Sequence, residues 1–437
     1  MLNKLPAGWQ QCCFEDVLDY EQPTKYIVKN TNYEDKGVAV LTAGKSFILG
    51  YTKETTGIFY GDKEPVIIFD DFTTSSKLVK FPFKVKSSAM KILHARDNIN
   101  IDFIYYLMQT ISYRNETHKR YWISEYAKQK LNLPPLEEQK RIVEKIEELF
   151  SDIDNGIKDL KTSQAQIKQY RQSVLKSAFE GKLTDNWRQL HKCEKNMEIK
   201  EETGIYKIPH SWLWCKLTAI GTLNRGKSKH RPRNDKKLYG GKYPFIQTGD
   251  VKEANMYIHK YSQTYNDFGL SQSKLWNENT LCITIAANIA ETAILKIKAC
   301  FPDSIVGFVK NKYLYSEELV EYYFRTIKGK LEKYAPATAQ KNINLSVLND
   351  ILFPLPTIPE QQQIVAEIEK RFAVADEMEK AVNDSLLQAE KLKQSILKQA
   401  FAGKLVPQNP NDEPAAVLLE RIKAAKENST KGKKIND

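Results

Sequence analysis

Apolar residues recur every seven positions at Ile146, Ile153, Leu160, Ile167 and Val174, with Ile142, Leu149, Phe150, Ile157 and Tyr170 beside them. The spacing returns at Ile368, Ala375, Val382, Ala389 and Ile396, flanked by Ile364, Phe372, Met378, Leu386 and Leu392. A repeat of seven places each set on one stripe of an α-helix, the pattern of a coiled-coil seam. The large Ile153 and Ile167 of one ladder complement the small Ala375 and Ala389 of the other, which predicts that the two helices pair, in either direction. Proline marks both starts, in Leu133-Pro134-Pro135 and Leu355-Pro356-Thr357-Ile358-Pro359, and Gly181 and Gly403 follow the last apolar positions. About 40 residues at ~1.5 Å each make a rod of roughly 60 Å, comparable to about 17 base pairs of duplex.

The two ladders belong to a duplication. Residues 136–183 align without a gap on residues 358–405 at a constant offset of 222, and the copies close almost identically, as Gln172-Ser173-Val174-Leu175-Lys176-Ser177-Ala178-Phe179-Glu180-Gly181-Lys182-Leu183 and Gln394-Ser395-Ile396-Leu397-Lys398-Gln399-Ala400-Phe401-Ala402-Gly403-Lys404-Leu405. Before each copy stands a block that opens alike, Leu5-Pro6-Ala7-Gly8-Trp9 and Ile208-Pro209-His210-Ser211-Trp212, here at an offset of 203. A period so much longer than a solenoid unit argues for two pseudo-symmetric halves, each a variable block followed by a near-constant helix.

Both blocks read as α+β. Strands are predicted at Gly37–Thr42, Pro65–Asp70, Leu281–Ile285 and Ala293–Ile297, and helices near Ile101–Ile111 and Ser316–Lys330. The domains expected are 1–135, a helix 136–184, a polar linker 185–206, a second block 207–355, a helix 356–406 and a tail 407–437. At 437 residues the chain can hold two or more cores. No apolar run reaches the roughly 18 residues of a membrane span and the start lacks a signal-peptide core, so the expected compartment is the cytoplasm, without membrane contact. The six cysteines show neither a C-x-x-C pair nor histidines at zinc spacing and are expected to be reduced thiols.

A net charge of +12 is compatible with a polyanionic partner. Its distribution says more, because Arg225–Lys237 carries seven Lys and Arg against the single Asp235, and Lys77, Lys80, Lys84, Lys86 and Lys91 fall in a stretch without an acid. Gly221-Thr222-Leu223-Asn224-Arg225-Gly226-Lys227-Ser228 spells a phosphate loop, yet the following Lys229-His230-Arg231-Pro232-Arg233 cannot open the amphipathic helix such a loop needs, so it reads as a basic loop. Glu198-Ile199-Lys200 offers nuclease letters away from any strand, and Asp70-Asp71 ends a strand as caps do. A base-modifying methyltransferase motif is not found, and the scattered histidines suggest no triad or metal site. The chain is expected to be noncatalytic and metal-free. A cationic segment with Arg, Lys, Asn and His interleaved suits contact with phosphates and base edges together.

Leu133-Pro134-Pro135-Leu136-Glu137-Glu138-Gln139-Lys140-Arg141-Ile142-Val143, the matching Pro356–Val365, the twin helix endings and the paired Pro-x-x-Trp openings closely resemble the specificity subunit of type I restriction-modification systems over essentially the full length. The tail Val406-Pro407-Gln408-Asn409-Pro410-Asn411-Asp412-Glu413-Pro414-Ala415 is similar too; Thr357 and Pro359 depart from the cleaner first copy. The resemblance implies two target recognition domains, each reading half of a split DNA site, joined by an antiparallel coiled coil of pseudo-twofold symmetry. It also implies two modification subunits that use S-adenosylmethionine to methylate adenine, restriction subunits that use ATP and Mg2+, a tail that contacts these partners, and no cofactor on this chain. The residues expected to meet double-stranded DNA are Lys45, Thr73, Thr74, Lys77, Lys84, Lys86, Lys119 and Arg120 in the first block. In the second they are Arg225, Lys227, Lys229, His230, Arg231, Arg233, Asn234, Lys236, Lys237, Gln247, Thr248, Gln340, Lys341 and Asn342. The alternatives are a coiled-coil adaptor without sequence readout and, behind it, a phosphate-loop ATPase.

Overall fold

The computed structural model describes residues 5–42, 46–111, 120–191, 199, 201–334 and 343–433. It divides into two units, one built from Met1–Leu160 with Asp384–Asp437, the other from Lys161–Asn383. Both predicted long helices form, a central helix Leu136–Phe179 and a distal helix Ile358–Phe401 of 44 residues each, and each gives one part to each unit.

Polar side chains beside the seam settle the direction that the heptads leave open. In the second unit Gln164 donates to Asn383 at 2.7 Å, while Arg171 pairs with Asp376 at 2.6 Å and Glu379 at 3.0 Å. Numbers rise on one helix as they fall on the other, so the pair is antiparallel. In the first unit Lys393 pairs with Asp154 at 2.5 Å, whereas Gln408, beyond the distal helix, reaches Glu138 near the start of the central one, the same sense. Ile146, Val174, Ile368, Ala375 and Ile396 are buried, and Ile153, Leu160, Ile167, Val382 and Ala389 are half-buried. Ile153 packs into the first unit's core with Ile396, and Ala375 is buried in the second unit. The flanking Tyr170, Met378 and Leu392 are instead exposed, because a two-helix seam covers only a narrow stripe.

Each unit carries a strand-rich module. The first has an antiparallel sheet in the order Leu18–Glu21, Met90–Ala95, Val66–Asp70, Ser76–Val79, and a mixed sheet in the order Ile48–Thr52, Val38–Leu41, Pro82–Val85, Phe59–Tyr60. The second has a five-stranded sheet in the order Gly221–Arg225, Ile305–Lys310, Leu281–Thr284, Thr292–Leu295, Tyr257–Ile258, and a four-stranded one in the order Gln263–Tyr265, Tyr239–Phe245, Ala299–Cys300, Leu275–Trp276. The predicted helices form as Ile101–Met108 and Glu317–Tyr334.

A two-stranded ribbon ties the first and last strands of each module together, Gln10–Cys13 with Lys130–Leu133 and Leu213–Lys216 with Leu352–Leu355. The register Gln10↔Leu133 places Trp9 beside the start of the central helix, and Leu213↔Leu355 does the same for Trp212 and the distal helix. Each indole N–H then donates to a buried glutamate on the first helical turn, Trp9 to Glu138 at 3.1 Å and Trp212 to Glu360 at 2.7 Å. The next residue, Gln139 or Gln361, is fully buried and spends its amide on backbone groups, Asn100 N and Pro134 O in one unit, Tyr315 N, Tyr313 O and Pro356 O in the other. The repeated Glu-Gln is therefore a clamp between helix and module.

The end of the opposite helix closes each clamp. Gly403 and Gly181 take φ of 67° and 75°, and the following amides bond back over the last turn, Lys404 N to Gln399 O and Lys182 N to Ser177 O, both at 2.9 Å. A Cβ on Gly403 would stand 2.4 Å from Pro6 Cγ, and one on Gly181 2.2 Å from Pro209 Cγ. Backbone hand and close approach both demand glycine, which is why Gly-Lys-Leu and Pro-x-x-Trp recur as a set.

Two stretches carry structure beyond the sequence reading. The stretch 185–206 is more than a polar linker: it holds a helix Asp185–Leu190 whose Arg188 grips Glu360, and Ile199 is buried in the second unit's core. The tail carries a helix Ala415–Lys433 that buries Ala415, Leu418, Leu419 and Ile422 on the first unit.

Candidate nucleic-acid interface

The second unit presents a run of cationic residues on one loop. Gly221–Arg225 is a strand, Gly226–Asp235 an irregular loop with a cis Arg231–Pro232 bond, and no helix follows Gly226-Lys227-Ser228, so the phosphate-loop reading fails. The loop is held by its own groups. Arg231 Nη1 donates to the carbonyls of Ser228 and His230 at 2.6 and 2.8 Å, and His230 Nε2 lies 2.8 Å from Asp235 Oδ2. The Lys237 amide and then His230 lower the Asp235 carboxyl below the usual range. Arg225, Lys227, Lys229, Lys236 and Lys237 are exposed along it.

Beside this loop opens a concavity of about 360 Å³, to which Arg233, Asn234, Gln247, Thr248 and Gln263 contribute. Two of its lining residues, Phe245 and Tyr265, stack with centroids 4.0 Å apart, and Gln263 faces Phe245 in the ladder. Arg233 Nη2 bonds Asp303 Oδ2 at 2.8 Å, while the Tyr239 hydroxyl donates to Arg233 O at 2.6 Å. Gln247 Nε2 donates to Gln263 Oε1 at 2.7 Å. Gln263 and Asp303 were not singled out by sequence reasoning; Gln263 enters the group through strand pairing distant in sequence.

The first unit offers a smaller group. Thr73 and Thr74 form the turn after Val66–Asp70, where Asp70 accepts from the Phe72 amide and, at 2.5 Å, from the Thr73 hydroxyl. Asp71 is buried against Lys91 at 3.5 Å and accepts from the Trp122 amide, so the acid pair is a structural cap. Arg120 is exposed next to Tyr121, whose amide bonds Asp71 O at 2.9 Å, and Lys77 and Lys86 are also exposed. Lys84 has to be removed from the DNA-facing set. It is 1% exposed, donates to Thr56 O at 2.6 Å and pairs with Glu54 at 2.9 Å, which with the Asn30 and Lys29 amides holds Glu54 at about 2. Lys45, Lys119, Gln340, Lys341 and Asn342 lie outside the described residues. Among the described residues no three His, Cys, Asp or Glu are grouped to hold a metal ion, and no helix is long and apolar enough to cross a membrane.

A strand-rich module followed by a long helix, built twice in one chain, with a basic loop beside a concavity on the second module, defines a protein of two pseudo-symmetric halves. Its sequence matches the family model described as the type I restriction modification DNA specificity domain at residues 6–162 and 209–388, and the chain belongs to that family. It is 30% identical over 384 residues to the EcoR124I/EcoR124II specificity subunit of Escherichia coli, covering 81% of this chain and 84% of that one. It is also 30% identical over 312 residues to the EcoBI specificity subunit of Escherichia coli, covering 67% and 64%. Among solved structures, one titled for the assembly and conformational transition of the type I R-M system matches with a TM-score of 0.67 at 18% identity, covering 92% of this chain and 100% of that one. The HsdS subunit from Thermoanaerobacter tengcongensis matches at 0.50 and 19% identity, covering 92% and 99%. At these identities the likeness shows the fold.

Proposed function

We propose that this chain is the specificity subunit of a type I restriction-modification complex, reading a split DNA site with one half on each strand-rich module. The observation that carries the reading is the duplicated module-plus-helix plan in a chain of the specificity family. Exposed Lys and Arg neutralise phosphates, and amide and guanidinium groups read base edges. The chain acts by positioning partners: methyltransferase subunits that take S-adenosylmethionine to adenine, and restriction subunits that spend ATP with Mg2+. The antiparallel helices set the separation of half-sites that is accepted.

The test compares the methylomes of two hosts, one carrying this chain with its partners and one carrying it without the facing heptads 153–159 and 388–394. The expected result is a split motif with adenine methylated in both halves, and a shorter gap or no methylation in the deletion. An unsplit motif overturns the reading, and an unchanged gap removes the ruler. A coiled-coil adaptor without readout instead predicts equal affinity for every duplex.

A further inference from the structure

The two arginines at the cis-proline are not equivalent. Arg231 turns its guanidinium back onto its own loop, bonding two carbonyls. Arg233 lines the concavity and is held at both ends, its guanidinium by Asp303 and its carbonyl by Tyr239. A phosphate only accepts hydrogen bonds, so it gains from amines and guanidinium groups and nothing from amide carbonyls. This concavity is rich in amides, with Asn234, Gln247 and Gln263, of which the last two are bonded to each other, and a stacked aromatic pair lines it. Such a set matches the major-groove edge of a purine, which presents N7 as acceptor next to the O6 acceptor of guanine or the N6 amino donor of adenine.

We infer that Arg233 and Gln263 determine sequence choice in the second half-site by binding a purine edge, with Asp303 and Gln247 as positioning residues. The inference rests on the DNA-reading function proposed above. Side chains locked by their neighbours make better readers than mobile lysines, because little is lost in ordering them on contact.

The test uses the full chain and duplexes in which each position of the split site, once known, is changed in turn. Arg233→Lys, Gln263→Ala and Asp303→Asn are expected to lose roughly 5- to 150-fold of discrimination at one or two positions of a single half-site. Binding to unrelated duplex, its salt slope and readout of the other half-site stay at the wild-type level. A uniform loss on all sequences with a shallower salt slope for Arg233→Lys would make Arg233 a phosphate contact and overturn the inference. Unchanged discrimination in all three variants overturns it as well, while the function proposed above stands. A wild-type chain that binds every duplex equally sinks both.

Discussion

The two helix heads are built to one plan and held by different chemistry. In both, a buried glutamate accepts from a tryptophan of the Pro-x-x-Trp motif. The third partner differs: Glu138 receives the neutral amide of Gln408 at 3.1 Å, whereas Glu360 receives Arg188 at 2.7 Å and the Thr184 hydroxyl at 2.8 Å. Burial therefore pushes the Glu138 carboxyl above its ordinary value, against the bonds from Gln408 and Trp9. The duplication preserved geometry, and the two ends then diverged in how each answers the same buried charge.

Removing the third partner on each side should separate the two solutions most strongly. Arg188→Ala leaves a fully buried carboxylate without its cation and is expected to cost the second unit about 3–5 kcal/mol. Gln408→Ala removes one neutral donor and should cost the first unit about 1 kcal/mol, both read from denaturant unfolding of the full chain. Equal losses would show that the two clamps are energetically alike.

Acid titration gives a subtler contrast. With Glu138 raised in the folded state, its charge costs stability above the folded pKa, and that cost fades as pH falls toward 4.5, because the native form takes up the proton before the unfolded form does. Glu138→Gln should remove this limb, so that the wild-type chain gains stability relative to the variant between neutral pH and 4.5. A difference that is flat over that range would refute the assignment. The smallest effect belongs to the rungs between the helices. Asp154→Asn, which breaks the pair with Lys393, and Asp376→Asn, which breaks that with Arg171, should each cost under ~1 kcal/mol and less in high salt.

The long helices were legible because their periodicity is local and runs over many turns. Direction was not, since Asp154 with Lys393 and Arg171 with Asp376 are pairings remote in sequence that a heptad does not encode. Strands such as Val66–Asp70 and Leu281–Thr284 were visible as apolar runs, but which strands neighbour which depends on the packing of the whole module. The basic loop was found by its composition. Gln263 was not, because an exposed glutamine on a short strand carries no signal until the ladder sets it opposite Phe245. Lys84 shows the converse error: a lysine in an acid-free stretch looked solvent-facing, while Glu54, thirty residues earlier, supplied the counter-charge that let it be buried.

The first unit takes its core from both extremes of the chain, Met1–Leu160 and Asp384–Asp437, while the second is one uninterrupted stretch. During synthesis the ribosome thus completes the inner unit while the outer one still waits, for tens of seconds at about 5–20 residues per second, with Trp9 and Glu138 lacking Gln408 and the Ala415–Lys433 helix. Maturation of the nascent polypeptide proceeds from the inside outward, and a product cut short before Gln408 leaves the first strand-rich module, though fully translated, unfinished.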